Sequence, residues 1–382
     1  MMCLVAFMAF GGMSLLVPVL PLYVLDLGGS TGDIGLVVSI FAAVSIILRP
    51  FVGRASDMYG SKKTVVVGAV ISLVASALYL WPVGIPTLLF IRMLHGAGIS
   101  VLGTAAFAYM AEMAPAHRRG EAMGLFGMSM SISFAIGPLL GSVIQSNFSF
   151  AVLFAVLTAG ALVSVILSCF VRPSIKDEAR TIPPFTWGAL INREALLPGT
   201  LLFCMSSSFA PIATLLPIFS QERSLADPGV FFFVQAVSIF ISRGFAGTLS
   251  DRFGRIAVII PSLLIVAAGV TVLGLSTAPW MFLLAAAIHG TGVGALQPTA
   301  IAMAIDRSDQ NSTGSAMATV NIFLDFGFAL GSFVVGSIAL HTNIANIYLG
   351  EAFVVLAGMS IFYLWVKQEG RLARNKAPVP SA

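Results

Sequence analysis

Charge is scarce in this sequence: 9% of the residues are Asp, Glu, Lys or Arg, while 58% are hydrophobic. A soluble domain carries about 25% charged residues, so this surface is not built to face water. Cysteine is scarcer still. Cys3, Cys169 and Cys204 stand far apart in apolar surroundings, which argues against a disulfide framework or a metal site and reads as buried free thiols. With 4 His in the whole chain, no clustered nucleophile or metal-ligand set exists, and an enzyme is disfavoured. No Gly-x-x-x-x-Gly-Lys-Ser/Thr occurs, which speaks against an ATP-driven pump. Gly290-x-Gly292-x-Gly294 lies inside an apolar run and reads as small-residue helix packing. No channel filter is visible, and no cofactor or metal is expected.

What the chain has in abundance is long apolar runs. A bilayer crossing needs ~20 mostly apolar residues, and runs of that kind follow one another at 3–25, 33–53, 64–82, 87–110, 121–145 and 150–171. The second half repeats the pattern at 196–220, 229–249, 257–277, 280–305, 314–340 and 347–366. Runs such as Ala257–Leu275 do not alternate apolar with polar residues, so spanning helices are expected rather than the strands of a closed barrel. The fold class is therefore an all-α integral membrane protein of twelve transmembrane helices. Its expected divisions are a six-helix bundle at 1–171, a polar linker at 172–195, a second six-helix bundle at 196–366 and a basic tail at 367–382. The first run starts almost at Met1, but no basic region precedes it and no Ala-x-Ala site follows. It reads as a retained span, with a native start a few residues upstream, rather than as a signal peptide.

A stretch near residue 50 is written again near residue 244. Arg49-Pro-Phe-Val-Gly53-Arg-Ala-Ser-Asp57-Met-Tyr-Gly60 returns as Arg243-Gly-Phe-Ala-Gly247-Thr-Leu-Ser-Asp251-Arg-Phe-Gly254, at an offset of 194. The same register pairs Gly35 with Gly229, His95-Gly96-x-Gly98 with His289-Gly290-x-Gly292, Glu112 with Asp306, and Gly137 with Gly331. One ancestral unit was duplicated and fused, giving two pseudo-symmetric bundles.

Charge placement orients them. With the N-terminus in the cytoplasm, the inner loops hold Arg54, Lys62, Lys63, Arg118, Arg119, Arg252, Arg255 and Arg307. The linker adds Arg172, Lys176, Arg180 and Arg193, and the tail adds Lys367, Arg371, Arg374 and Lys376. Only Arg223 falls in an outer loop, and Arg49, Arg92 and Arg243 fall within spans. This positive-inside bias predicts a multi-pass protein of the cell (inner) membrane with both termini cytoplasmic. It also accounts for the net charge of +4, so no nucleic-acid partner is implied.

The repeated Gly-x-x-x-Asp-x-x-Gly at Gly53–Gly60 and Gly247–Gly254 resembles the cytoplasmic loop motif of the major facilitator superfamily. Gly12 followed by Pro18-Val19-x-Pro21, Arg92-x-x-His95-Gly96-x-Gly98 and Gly137-Pro138-x-x-Gly141 are similar to motifs of its twelve-span drug/proton antiporters, with His95 where Gln is commoner. The resemblance implies secondary active transport by alternating access, with a small-molecule substrate and protons as partners. It also implies that Asp57 and Asp251 meet the opposite bundle, near Ser312–Ser315 and Arg119–Glu121, and latch the cytoplasmic side shut. Glu112, Arg118, Arg252 and Arg255 join this conformational gate, with Glu112, Arg118 and Lys62 as an inner ion-pair network. Gly137, Pro138 and Gly141 are implied to govern a helix bend that favours export.

The residues themselves assign narrower roles to the loop. Gly53 and Gly247 are expected where two helices pack closely, and Gly60 and Gly254 at turns needing positive φ.

Scaffold residues should survive in both copies, whereas a substrate site need not. Arg92 corresponds to Ala286, Pro138 to Ser332, and Asp325 to Ser131. Asp325 lies roughly 16 Å into its span, near the bilayer midplane, where an unpaired carboxylate is costly. Burial disfavours the charged form, so Asp325 is the leading proton carrier, with Asn321 one turn earlier on the same face. Arg92 is expected to neutralise a substrate anion or to sense a nearby acid, with Asp26 as its partner by depth. A snorkelling Arg92 and a static Asp325 are the structural alternatives. His95, His289, Gln297 and Ser207 are candidate cavity residues, with packing roles favoured for the two histidines. Pro18, Pro21, Pro211 and Pro217 are expected to soften the first and seventh spans.

The resulting expectation is a monomeric, proton-coupled exporter of a small organic compound. An exporter or symporter of a polar metabolite such as a sugar or an amino-acid-like solute stands as the alternative.

Overall fold

The computed structural model describes residues 1–81, 84–114, 118–173, 192–308 and 313–376, apart from the side chains of 57, 119–121, 313–314 and 369–376. The first half contains α1 (Met2–Leu15), α2 (Leu20–Asp26), α3 (Thr31–Tyr59), α4 (Ser61–Leu78), α5 (Ile85–Met113), α6 (Arg119–Asn147) and α7 (Phe150–Cys169). The second contains α8 (Leu196–Glu222), α9 (Pro228–Phe253), α10 (Arg255–Gly274), α11 (Pro279–Arg307), α12 (Thr313–Ile338) and α13 (Ile344–Lys376). Among the described residues, 11 helices are long and apolar enough to cross a membrane, and α1 and α2, bent by 43° at the break between them, are long and apolar enough when taken together. The expected linker 172–195 falls largely at 174–191, outside the described residues. At its end, Asn192 N–H donates to Thr319 Oγ1 at 2.8 Å. α13 runs past the expected boundary at 366.

Local chemistry sets the helix ends. Ser30 and Asp33 form a reciprocal capping box at the start of α3. In the second half Asp227 Oδ1 accepts from the backbone N–H of Gly229 and Val230, ahead of Pro228 at the first helical turn of α9. Gly60 and Gly254 join α3 to α4 and α9 to α10 at φ of +89° and +88°, a conformation that costs glycine little.

Each half folds around its own apolar core. The halves meet where α3 packs on α12 and where α6 packs on α9, two seams that the 194-residue repeat interconverts. At the end remote from the repeated loops the seams are closed by small residues. A Cβ on Gly35 would lie 2.6 Å from the Ser332 carbonyl oxygen, and one on Gly229 would lie 2.8 Å from that of Pro138. Ser332 and Pro138 are themselves repeat partners. Val17 packs into the second half's core, and Ile218 and Phe328 pack into the first's.

The other end is splayed. Around Gly53 and Gly247, and around Gly124, Gly127 and Gly244, a Cβ would meet nothing within 4 Å. This corrects the expectation of close helix packing at Gly53 and Gly247. Those glycines stand one turn beyond Arg49 and Arg243.

Candidate functional site

Asp325 reaches across the seam. At 1.5 Å per residue it sits roughly 18 Å into α12, and Arg49 meets it from the middle of α3. Arg49 Nη2 donates to Oδ1 at 3.2 Å and stands 3.0 Å from Oδ2. Oδ2 is buried and accepts no aligned hydrogen bond among the described residues. The pair is asymmetric in exposure: the Asp325 side chain is 12% accessible and that of Arg49 is 35% accessible. The acid is the buried end of the pair and the guanidinium the more accessible one. Asn321 is partly buried one turn away on the same helix. A carboxylate in this position holds the two bundles together electrostatically while charged, and loses that attraction when it takes a proton.

Arg92 does something else. Its Nε donates to the Val37 carbonyl at 3.0 Å and its guanidinium lies 4.4 Å over the Phe41 ring. Both partners belong to α3, so Arg92 is buried inside the first bundle rather than opposite Asp325. Asp26 is exposed at the end of α2, and the expected Arg92–Asp26 pairing is not formed. A carbonyl and a ring face satisfy the guanidinium instead.

The two histidines are buried at repeat-related places, 1% exposed each. His95 lies edge-on between Phe41 and Tyr79 and lines a small cavity with Ser72, Ser76 and Ser164. His289 is held from both sides, with Nδ1 2.8 Å from Gln235 Nε2 and Nε2 3.1 Å from Ser208 Oγ. Both ring nitrogens therefore have a polar partner within the bundle. That arrangement fits a packing role.

Gln297 Oε1 accepts from Arg243 Nη2 at 2.6 Å. Ser207 Oγ lies 2.7 Å from Glu351 Oε1 and 3.0 Å from the Cys204 carbonyl. Glu351 on α13 is a second buried carboxylate, 8% exposed. Sequence reasoning does not reach Glu351, nor the pairing of Arg49. The signal for Glu351 is the one that finds Asp325: a lone acid in an apolar span whose repeat partner, here Leu157, is uncharged.

At the end of the repeated loops, Asp251 accepts from Arg255 of the next helix; its expected contact at 119–121 falls on side chains outside the described residues. Arg255 Nε also donates to Asp306 at 2.8 Å, and Arg252 lies over the Phe253 ring. The Asp57 side chain, Ser312 and the side chains of 119–121 lie outside the described residues, so the Asp57 contact does too. Glu112 lies near the end of α5 and Arg118 precedes α6 at the same end. Gly137 and Gly141 press on α1, where a Cβ would strike Ser14 Oγ and the Leu15 carbonyl. This is the close contact beside the break in the first span. Among the described residues no three of His, Cys, Asp and Glu gather to hold a metal ion.

Two helical bundles that meet along the α3/α12 and α6/α9 seams, with an ion pair joining them at mid-depth, define a multi-pass membrane protein built on a duplicated unit. The chain belongs to the Major Facilitator Superfamily, which it matches over residues 2–244 and again over 223–382. It is thus a secondary transporter and not an enzyme. It is 25% identical to an uncharacterised transporter of Methanocaldococcus jannaschii, over 94% of this chain and 95% of that protein. It is 24% identical to multidrug resistance protein 2 of Bacillus subtilis, over 96% and 94%. The crystal structure of a POT family transporter in complex with 5-aminolevulinic acid superposes with a TM-score of 0.83 at 13% identity, covering 96% of this chain and 95% of that one. At that identity the likeness concerns the fold alone.

Proposed function

We propose that this protein is a proton-coupled antiporter that exports a small organic compound, a drug or lipophilic metabolite, from the cytoplasm by alternating access. The observation that carries the reading is the Arg49–Asp325 pair, which joins the two bundles at mid-depth. In the charged state it braces the α3/α12 seam. A proton on Asp325 removes one partner and leaves Arg49 to the water of the gap, so proton binding and bundle movement are coupled at one place.

The positive-inside bias puts the splayed end in the cytoplasm, which makes this arrangement inward-facing. The loop aspartates Asp57 and Asp251 take up their cross-bundle contacts when that end closes. Relatives such as the Bacillus subtilis multidrug resistance protein support export as the direction. The working unit is a monomer in the cell (inner) membrane.

The test is transport in everted vesicles under an imposed pH gradient, using ethidium and dansylglycine as fluorescent probes. Asp325→Asn should lose at least tenfold of gradient-driven flux while still equilibrating the probe down its own gradient. An Asp325→Asn protein with the native gradient-driven rate removes Asp325 from the coupling step.

A further inference from the structure

Arg243 is the repeat partner of Arg49, and among the described residues no carboxylate pairs with it. Where α12 presents Ala318, Asn321 and Asp325 along one face, the equivalent face of α6 presents Gly124, Gly127 and Ser131. Every side chain along that face is smaller, and the acid is gone. The space this leaves is open, since a Cβ on Gly124 or Gly127, or on Gly244 and Gly247 beside Arg243, would meet nothing within 4 Å. Ser131 Oγ turns back onto its own helix and donates to the Gly127 carbonyl at 3.0 Å.

Arg243 sits roughly 15 Å from the splayed end of α9, too deep for its side chain to snorkel to the interface. Arg243 is exposed as a whole residue while its charged end is largely desolvated, and its one hydrogen bond among the described residues goes to the neutral Gln297 amide oxygen at 2.6 Å. A cation at that depth is costly unless it faces water or an opposite charge. Its counterpart across the pseudo-symmetry axis meets a carboxylate at 3.0 Å.

We infer that Arg243, with Gln297 beside it, binds the anionic group of the transported compound, in the place on the α6/α9 seam that Asp325's carboxylate occupies on the α3/α12 seam. The substrate class is then a small organic carboxylate, or a zwitterion that presents one. The inference rests on reading the gap between the bundles as the substrate path. As in the native pair a guanidinium meets a carboxylate; a free carboxylate can take two parallel donors from it, and Gln297 fixes the direction of the side chain. On binding, the substrate gives Arg243 the counter-charge that Asp325 gives Arg49.

The experiment is equilibrium binding to the purified full chain in nanodiscs, read by dansyl fluorescence. The probes are dansylglycine and its neutral amide, which differ only in the carboxylate. Native protein should bind the acid at least tenfold more tightly than the amide. Arg243→Gln should erase that preference and Arg243→Lys should keep part of it. Ser131→Asp, which leaves Arg243 in place and fills its vacancy with a tethered carboxylate, should erase the preference as well. Equal affinity of native protein for the two probes, failure to bind the acid, or a native preference surviving in both Arg243→Gln and Ser131→Asp overturns the assignment. The coupling reading fails separately: Asp325→Asn retaining gradient-driven flux would sink it without altering the charge preference measured here.

Discussion

Asp325 and Ser131 occupy one position in an ancient repeat, as do Arg49 and Arg243, and the difference between the two pairs separates their tasks. The charged pair holds its own seam. The unmatched arginine is left for a ligand. Glycines show the same division of labour. Gly141 touches the Leu15 backbone, while Gly247 faces open space. Gly141→Ala should therefore overpack the α1/α6 contact by about 1–3 kcal/mol and lower the melting midpoint of the purified protein by several degrees. Gly247→Ala should leave that midpoint unchanged, because nothing in this arrangement meets its methyl group. Equal melting of the two variants contradicts the packing described. Candidates chosen by asymmetry, Asp325 above all, were legible at this scale because a lone acid in an apolar span is visible without coordinates. Arg92 was legible as buried but not as satisfied, since its partners are a carbonyl and a ring, which no pattern of charges reveals.

At the scale of elements, prolines show the limits of a local rule. The first span breaks between Leu15 and Leu20 and bends by 43°, as Pro18 and Pro21 lead one to expect. α8 carries Pro211 and Pro217 yet runs unbroken from Leu196 to Glu222. The same holds for Pro50 in α3, Pro138 in α6, Pro261 in α10 and Pro298 in α11, whether the spanning window is 83% buried as in α8 or 22–50% as in those four. A single internal proline costs a span one backbone hydrogen bond without breaking it, and the break in the first span coincides with two prolines three residues apart. Pro18→Ala restores an N–H that can donate to the Ser14 carbonyl. Amide hydrogen exchange at residues 16–22 should slow by about tenfold or more, and unchanged exchange would show that packing against α6, not proline, sets the bend. Helix number and boundaries were readable because ~20-residue apolar runs have no other stable form in lipid. Which helix would be straight was not, because a proline by itself does not decide it.

For the whole molecule, the closed and splayed ends make a physical prediction about motion. Gly32 on α3 and Leu340 beyond α12 lie in contact at the closed end, a Cβ on Gly32 falling 3.3 Å from Leu340 Cδ1. In a variant lacking Cys3, Cys169 and Cys204, cysteines at 32 and 340 should cross-link readily and arrest transport, with recovery on reduction. Full transport by the cross-linked protein excludes separation of this end during the cycle. Spin labels at 124 and 247 should conversely approach when the splayed end closes, and an invariant distance under an imposed gradient argues against rocking bundles.

The amino-acid sequence by itself determined the medium, the number of crossings, the duplication and the positions where the copies differ. Each of these follows from hydropathy, run length and residue identity read along one dimension. Only the tertiary structure decided what those differences meet. It gave Asp325 to Arg49 rather than Arg92, left Arg243 with an amide, put Glu351 against Ser207, and opened Gly53 and Gly247 to the gap. Contacts between residues hundreds of positions apart depend on how two bundles pack against each other, and that packing is written in no local stretch of chain.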